Sequence, residues 1–184
     1  MCGMTPEALS KVVGEAVRLV QDLVDRQPVR AKDISHHQGK RPSDTDPGPP
    51  RRTGGVYVMG RGEREYRYVG ETEDLQDRIL HGHMADRKAS TRMEAVRKKI
   101  AALERVQNGP EVFRRVHEKW WFAWEVVEDP DMRRLVERLL IAWLRAEGQP
   151  LLNDPASNDA VPIDIDRLMA KMAERFPAQP SGTC

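Results

Sequence analysis

The sequence predicts a small α/β domain of the α+β kind: a three-stranded, largely antiparallel sheet covered by helices, with helical extensions at both ends. Three observations carry that expectation. Two short runs rich in β-branched and aromatic residues, 54–60 and 65–70, flank Arg61-Gly62-Glu63, the pattern of two strands joined by a tight turn. A third run, 119–128, places Trp120, Phe122, Trp124 and Val126 on one side of a strand. Around these runs, apolar residues recur at three and four, the period of helices laid on a sheet.

Residues 1–27 read as an amphipathic helix. Thr5-Pro6-Glu7 supplies an N-cap, a proline at the first helical position and an acid in the first turn. Leu9, Val12, Val13, Ala16, Val17, Val20, Leu23 and Val24 then form a stripe that must be buried, against the rest of the chain or against a second copy. Residues 28–53 lose that pattern. Pro28, Pro42, Pro47, Pro49 and Pro50 alternate with Arg30, Lys32, Lys40, Arg41, Arg51 and Arg52, which reads as a basic linker. Arg51 and Arg52 stand where they could track a phosphate backbone, and a charged linker also serves solubility. His36 and His37 lack partners at metal-site spacing and read as solvated.

The domain proper spans 54–154. In the hairpin, alternate residues share a face, so Tyr57 and Tyr68 are expected to converge. Next comes Glu71-Thr72-Glu73-Asp74-Leu75, with Thr72 as N-cap candidate and acids in the first turn, and Arg78 projects from the helix that follows. Two phenols facing a guanidinium make a candidate phosphodiester site. Thr91-Arg92-Met93-Glu94 is a capping box, and its helix should run to Gly109-Pro110. Arg92, Arg97, Lys98, Lys99 and Arg105 read as its exposed side, and Arg92, Lys98 and Lys99 as contacts to a nucleic-acid backbone. The aromatic row of the third strand reads as core.

Asp129-Pro130-Asp131 opens the best-defined helix, with Met132, Leu135, Val136, Leu139, Leu140, Trp143 and Leu144 as its stripe and Gly148 as its end. Glu137 lies at the edge of that stripe; beside Arg133, Arg134 and Arg138 it reads, taken alone, as a surface glutamate. Asn153, just after Pro150, reads as turn chemistry. Residues 155–184 hold a last amphipathic helix over 163–176, carried by Ile165, Leu168, Met169, Met172 and Phe176, and a polar tail.

Composition narrows the function classes. The 184 residues suffice for one modest core, and the net charge of +1 announces no polyanion partner. Its distribution is less even: residues 51–110 hold 13 Lys and Arg against 9 Asp and Glu, and residues 125–184 hold 7 against 11. A polarity of +4 against −4 suits one face turned to an anion, and equally a solvated face. Cys2 and Cys184 form no CxxC pair, which favours a reducing compartment. No apolar run approaches the roughly 18 residues of a membrane span. The expectation is a soluble, cytoplasmic protein.

Gly55-Val56-Tyr57, Tyr68-Val69-Gly70, Arg78, Glu137 and Asn153, in that order over about a hundred residues, resemble the GIY-YIG nucleases. The resemblance implies a small mixed fold and metal-dependent hydrolysis of nucleic-acid phosphodiesters. It implies that Glu137 holds Mg²⁺ (or Mn²⁺), that Arg78 neutralises the phosphate, and that Tyr57 activates or orients water. Tyr68 would support that network and Asn153 would brace it. Several DNA-cleaving members carry a histidine four residues after the arginine, where this chain has Gly82 between His81 and His83. At α-helical pitch His81 shares a side with Arg78, whereas a helix ending at Gly82 would re-aim His83, so both stand as candidates.

With no zinc-finger spacing or helix-turn-helix, the chain looks most like a stand-alone restriction or host-defence enzyme acting on double-stranded DNA. A structure-selective repair or recombination nuclease is the alternative, and a non-catalytic nucleic-acid-binding module on the same fold is the rival of another class. One site cuts one strand, so double-strand cleavage implies a homodimer, with the N-terminal helix as its candidate surface.

Overall fold

Along the hairpin, Val56, Val58 and Val69 alternate with Tyr57, Met59 and Tyr68, so both faces of the sheet need cover. The computed structural model describes residues 6–34, 48–85 and 91–153. Its elements are α1 (Pro6–Asp25), β1 (Val29–Arg30), a 3₁₀ turn (Ala31–Asp33), β2 (Gly55–Arg61), β3 (Glu65–Thr72) and a π-helix (Asp77–His83). There follow α2 (Thr91–Glu104), α3 (Pro110–Lys119), β4 (Trp120–Val126) and α4 (Pro130–Ala146). The class is α+β, and every strand pairing is antiparallel, in the order β1-β4-β2-β3. The helix expected over 163–176, with His36 and His37, lies outside the described residues.

Four strands replace the expected three. The addition is β1, two residues long, with Val29 opposite Phe122 and Arg30 opposite Trp121. Behind it Ala31 and Ile34 are buried, so the stretch 29–34 of the expected linker belongs to the core. A two-residue strand beside Pro28 has no periodicity to reveal it. A second addition is α3. The helix expected to run to Gly109-Pro110 stops at Glu104, with Arg105 at φ 55°, and Gly109-Pro110 instead opens the next helix, which buries Val112, Phe113 and Val116.

The two faces of the sheet are covered differently. α1 and α4 lie on one, burying Val12, Ala16, Leu19, Leu23, Leu135, Val136, Leu140 and Leu144 against Val56, Val58, Val69 and Ala123. On the other, the π-helix, α2 and α3 close over Tyr57, Met59, Tyr68, Trp120 and Phe122. The stripe of α1 is thus consumed within the chain, leaving Val13 and Val17 exposed. Asp129 caps α4, its carboxylate accepting from the backbone N–H groups of Asp131 and Met132 at 2.9 Å.

A bulge fixes which tyrosines share a face. Met59 pairs with Tyr68, but the next residue of β2, Gly60, pairs with Tyr66, leaving Arg67 as the extra residue. Simple alternation would put Tyr66 and Tyr68 together. Instead Tyr66 turns to the aliphatic side, edge-on to Trp121 with ring centroids 5.3 Å apart, while Tyr68 joins Tyr57. Among the described residues, no helix is long and apolar enough to cross a membrane.

Candidate active site

Tyr57 and Gly70 are cross-strand partners, and that pairing makes room for the phenol. A Cβ on Gly70 would stand 2.6 Å from both the Tyr57 hydroxyl oxygen and the ring carbon that bears it. Only a residue without a side chain lets that ring lie across β3. Tyr68 approaches from the same face, its ring centroid 6.1 Å from that of Tyr57. The expected convergence of the two phenols is therefore present in the structure.

The third ring is His83. Its Nε2 lies 2.8 Å from the Tyr57 hydroxyl, and its ring stands edge-on to both tyrosines at 5.4 and 5.7 Å. His81, the neighbour favoured by α-helical pitch, points elsewhere and pairs its Nδ1 with the Asp77 carboxylate at 2.8 Å. The reason is the π-helix. Its wider turn bonds residues five apart, as the Met84 N–H does to the Ile79 carbonyl, and so brings His83 onto the side that a residue four after Arg78 would occupy in an α-helix. Gly82 sits in that nominal position, where a Cβ would already crowd Arg78 Cδ and Met93 Cε at 3.3 Å. The helix cap is also relocated: Asp74, rather than Thr72, accepts from the Asp77 N–H at 3.0 Å, and the Thr72 hydroxyl instead accepts from the Asp74 N–H.

Tyr57, Tyr68 and His83 are 0 %, 3 % and 2 % exposed. Burial, with the charges of Arg78 and Arg97, pushes the imidazole from its usual value of 6.5 down to about 3, so it is neutral at any ordinary pH. Its Nδ1 has no hydrogen-bond partner among the described residues. When Nε2 accepts the phenol proton, Nδ1 carries the ring hydrogen into an apolar surround. A buried polar atom left so is costly.

Of the remaining candidates, Glu137 belongs to α4, which packs on the opposite face of the sheet from this cluster. Asn153 is buried and clamps Val69, between Tyr68 and Gly70: its Oδ1 accepts from the Val69 N–H at 3.0 Å and its Nδ2 donates to the Val69 carbonyl at 2.8 Å. The side-chain amide thus acts as a strand neighbour for the outer edge of β3. The Leu152 N–H extends that pairing to the Arg67 carbonyl at 2.6 Å, and Gln149 Oε1 accepts from the Tyr66 N–H. Arg78 lines a hollow of about 360 Å³ with Glu71, Asp74, Asp77, Arg133 and Arg134. Buried Arg133 holds Glu71 there and donates to the Val127 and Glu128 carbonyls. Glu137, one turn further along α4, is 8 % exposed, which removes it from the class of surface glutamates.

The basic side of α2 is smaller than expected. Arg97 is buried and Lys99 donates to the Leu152 carbonyl at 2.8 Å, so both serve the fold, while Lys98 is exposed. Helical spacing held the signal: Arg97 falls four after Met93 and three before Ile100, both core residues. Arg92 lies in the first turn of α2, and Arg51 and Arg52 are exposed at the entry to β2. No protein-family model, curated protein or solved structure matches this chain.

Proposed function

We propose that the protein is a metal-dependent endonuclease of the GIY-YIG type, hydrolysing DNA phosphodiester bonds in a restriction or host-defence role. The observation that carries this reading is the buried Tyr57–His83 hydrogen bond beside Tyr68. A free phenol has a pKa of about 10 and is a poor base at neutral pH. A neutral imidazole at 2.8 Å accepts a hydrogen bond from that phenol and fixes its orientation, and the nearby Arg78 charge favours the phenolate. In this reading Tyr57 activates or orients the attacking water, Arg78 meets the charge that develops on phosphate, Tyr68 holds the ring pair, and Asn153 keeps β3 in register.

The cation would be held by Glu137. The described residues offer no group of three His, Cys, Asp or Glu side chains for a metal. A single hard carboxylate nevertheless suits Mg²⁺, which keeps several waters and takes substrate phosphate oxygens as further ligands. When bound, such an ion supplies positive charge to the scissile phosphate. Arg51, Arg52, Arg92 and Lys98 remain for the DNA backbone, and cleavage of both strands would take two copies of the chain.

Burial favours a second reading. With Tyr57 and its partners closed over, a phosphodiester reaches the phenol oxygen only after the cover opens. A non-catalytic DNA-binding module has no such requirement. One experiment separates the two: supercoiled plasmid, linear duplex, branched DNA and RNA are incubated with purified protein, with and without Mg²⁺, alongside Glu137→Ala. The nuclease reading expects Mg²⁺-dependent cutting that Glu137→Ala abolishes while DNA affinity persists. Binding without cleavage in every condition establishes the module instead, and preferential cutting of branched DNA would shift the role to repair.

A further inference from the structure

We propose that Arg97 is a positioning residue that holds His83 against Tyr57. This inference deepens the nuclease reading and rests on it for its catalytic consequence, though not for its geometry. The π-helix ends at His83, where backbone carbonyls lose their helical partners. One Arg97 nitrogen, Nη2, donates both to the Gly82 carbonyl at 2.9 Å and to the Ala85 carbonyl at 3.0 Å. These two points lie one residue before His83 and two residues after it. The backbone is therefore pinned on both sides of the imidazole to α2, an element belonging to a different part of the chain.

The pin is itself fixed. Arg97 is 5 % exposed, and its guanidinium carbon sits 4.6 Å from the centroid of the Phe113 ring of α3. Its Nη2 is held by the two carbonyls, and stacking on the Phe113 ring fixes the guanidinium plane. Lysine would keep the charge but lacks the planar fork and the stacking surface. The groups around the imidazole are Arg78 on its own helix, Arg97 from α2, Tyr57 from β2, Tyr68 from β3 and Phe122 from β4. Because the substitution Arg97→Lys preserves the positive charge, it separates holding the ring in place from merely repelling its proton.

The experiment uses full-length protein with ¹⁵N-labelled histidine. In wild type the His83 ring nitrogens should report a neutral imidazole with a hydrogen-bonded Nε2 from neutral pH to below pH 5. In folded Arg97→Lys that signature should be lost, with His83 titrating at higher pH, and kcat for DNA cleavage should fall at least tenfold at unchanged KM. Phe113→Leu, which removes the ring under the guanidinium and leaves both hydrogen bonds, should move the same signals by less. It decides the matter if Arg97→Lys does not fold. Wild-type His83 spectra in the folded variants would overturn the proposal. A wild-type protein that cuts nothing would sink the nuclease reading while the ring spectra still judged Arg97.

Discussion

The two faces of one hairpin obey different rules. Val56, Val58 and Val69 point to α1 and α4 and pack with their apolar residues, in an arrangement any hydrophobic pattern of the right volume would satisfy. One residue along each strand, Tyr57 and Tyr68 point the other way and meet His83, whose second nitrogen goes unpartnered among the described residues. Packing alone gives no reason to bury such a group, since an apolar ring of the same shape avoids its desolvation. The aliphatic face thus needs only packing, while the tyrosine face keeps polar atoms at a cost that packing does not repay.

Damaging each face in turn puts that contrast to its hardest test. Leu140→Ala, on the buried side of α4, should cost about 2–5 kcal/mol in urea unfolding and leave the His83 ring spectra of the folded fraction unchanged. Gly70→Ala should do the reverse. Its Cβ would drive Tyr57 aside at a cost of about 1–3 kcal/mol and erase the Tyr57–His83 signature. If Gly70→Ala kept that signature, the glycine would not be there to admit the ring.

Asn153→Ala tests what the faces share, the register of β3. It leaves the Val69 N–H and carbonyl without their side-chain partner, each at about 1–3 kcal/mol if water cannot replace it. Hydrogen exchange of the Val69 amide should rise well before global unfolding, and stability alone should not fall without it.

The hairpin, its facing tyrosines and α4 are legible in the sequence because each rests on local chemistry: turn residues, alternation and the Asp129-Pro130 start. What escapes depends on contacts far apart in the chain. Two residues of β1 become a strand only because Phe122 and Trp121 lie beside them, and the histidine's identity turns on a π-helix that no α-helical count anticipates. Resemblance names Asn153 as a brace, but pairing the edge of β3 is a tertiary fact. Arg97 reads as surface charge unless its spacing from Met93 and Ile100 is weighed against its sign.

Acid should separate the faces as well. Above about pH 6.5 His83 is neutral folded and unfolded alike. Below that, the unfolded histidine takes a proton that the buried one refuses until about pH 3. Stability should therefore fall across that window by as much as about 1.4 kcal/mol per pH unit from this residue. The helices on the aliphatic face, α1 and α4, carry no histidine. His83→Gln should flatten the slope, and an unaltered slope would mean that His83 protonates freely in the fold.

The smallest effects concern two adjacent lysines that sequence treats alike. Lys99 spends its ammonium on the Leu152 carbonyl, next to the residue that clamps β3, whereas Lys98 is exposed. Lys98→Ala should leave unfolding within about 0.5 kcal/mol of wild type. If α2 faces DNA, it should also weaken binding to all sequences alike and reduce the salt dependence by about one unit of slope. Lys99→Ala should instead cost about 1 kcal/mol of stability, through a lost hydrogen bond from a charged donor, with the salt slope unchanged. Equal loss of slope in both variants would return Lys99 to the backbone clamp, and no loss in either would move the DNA path toward Arg51 and Arg52.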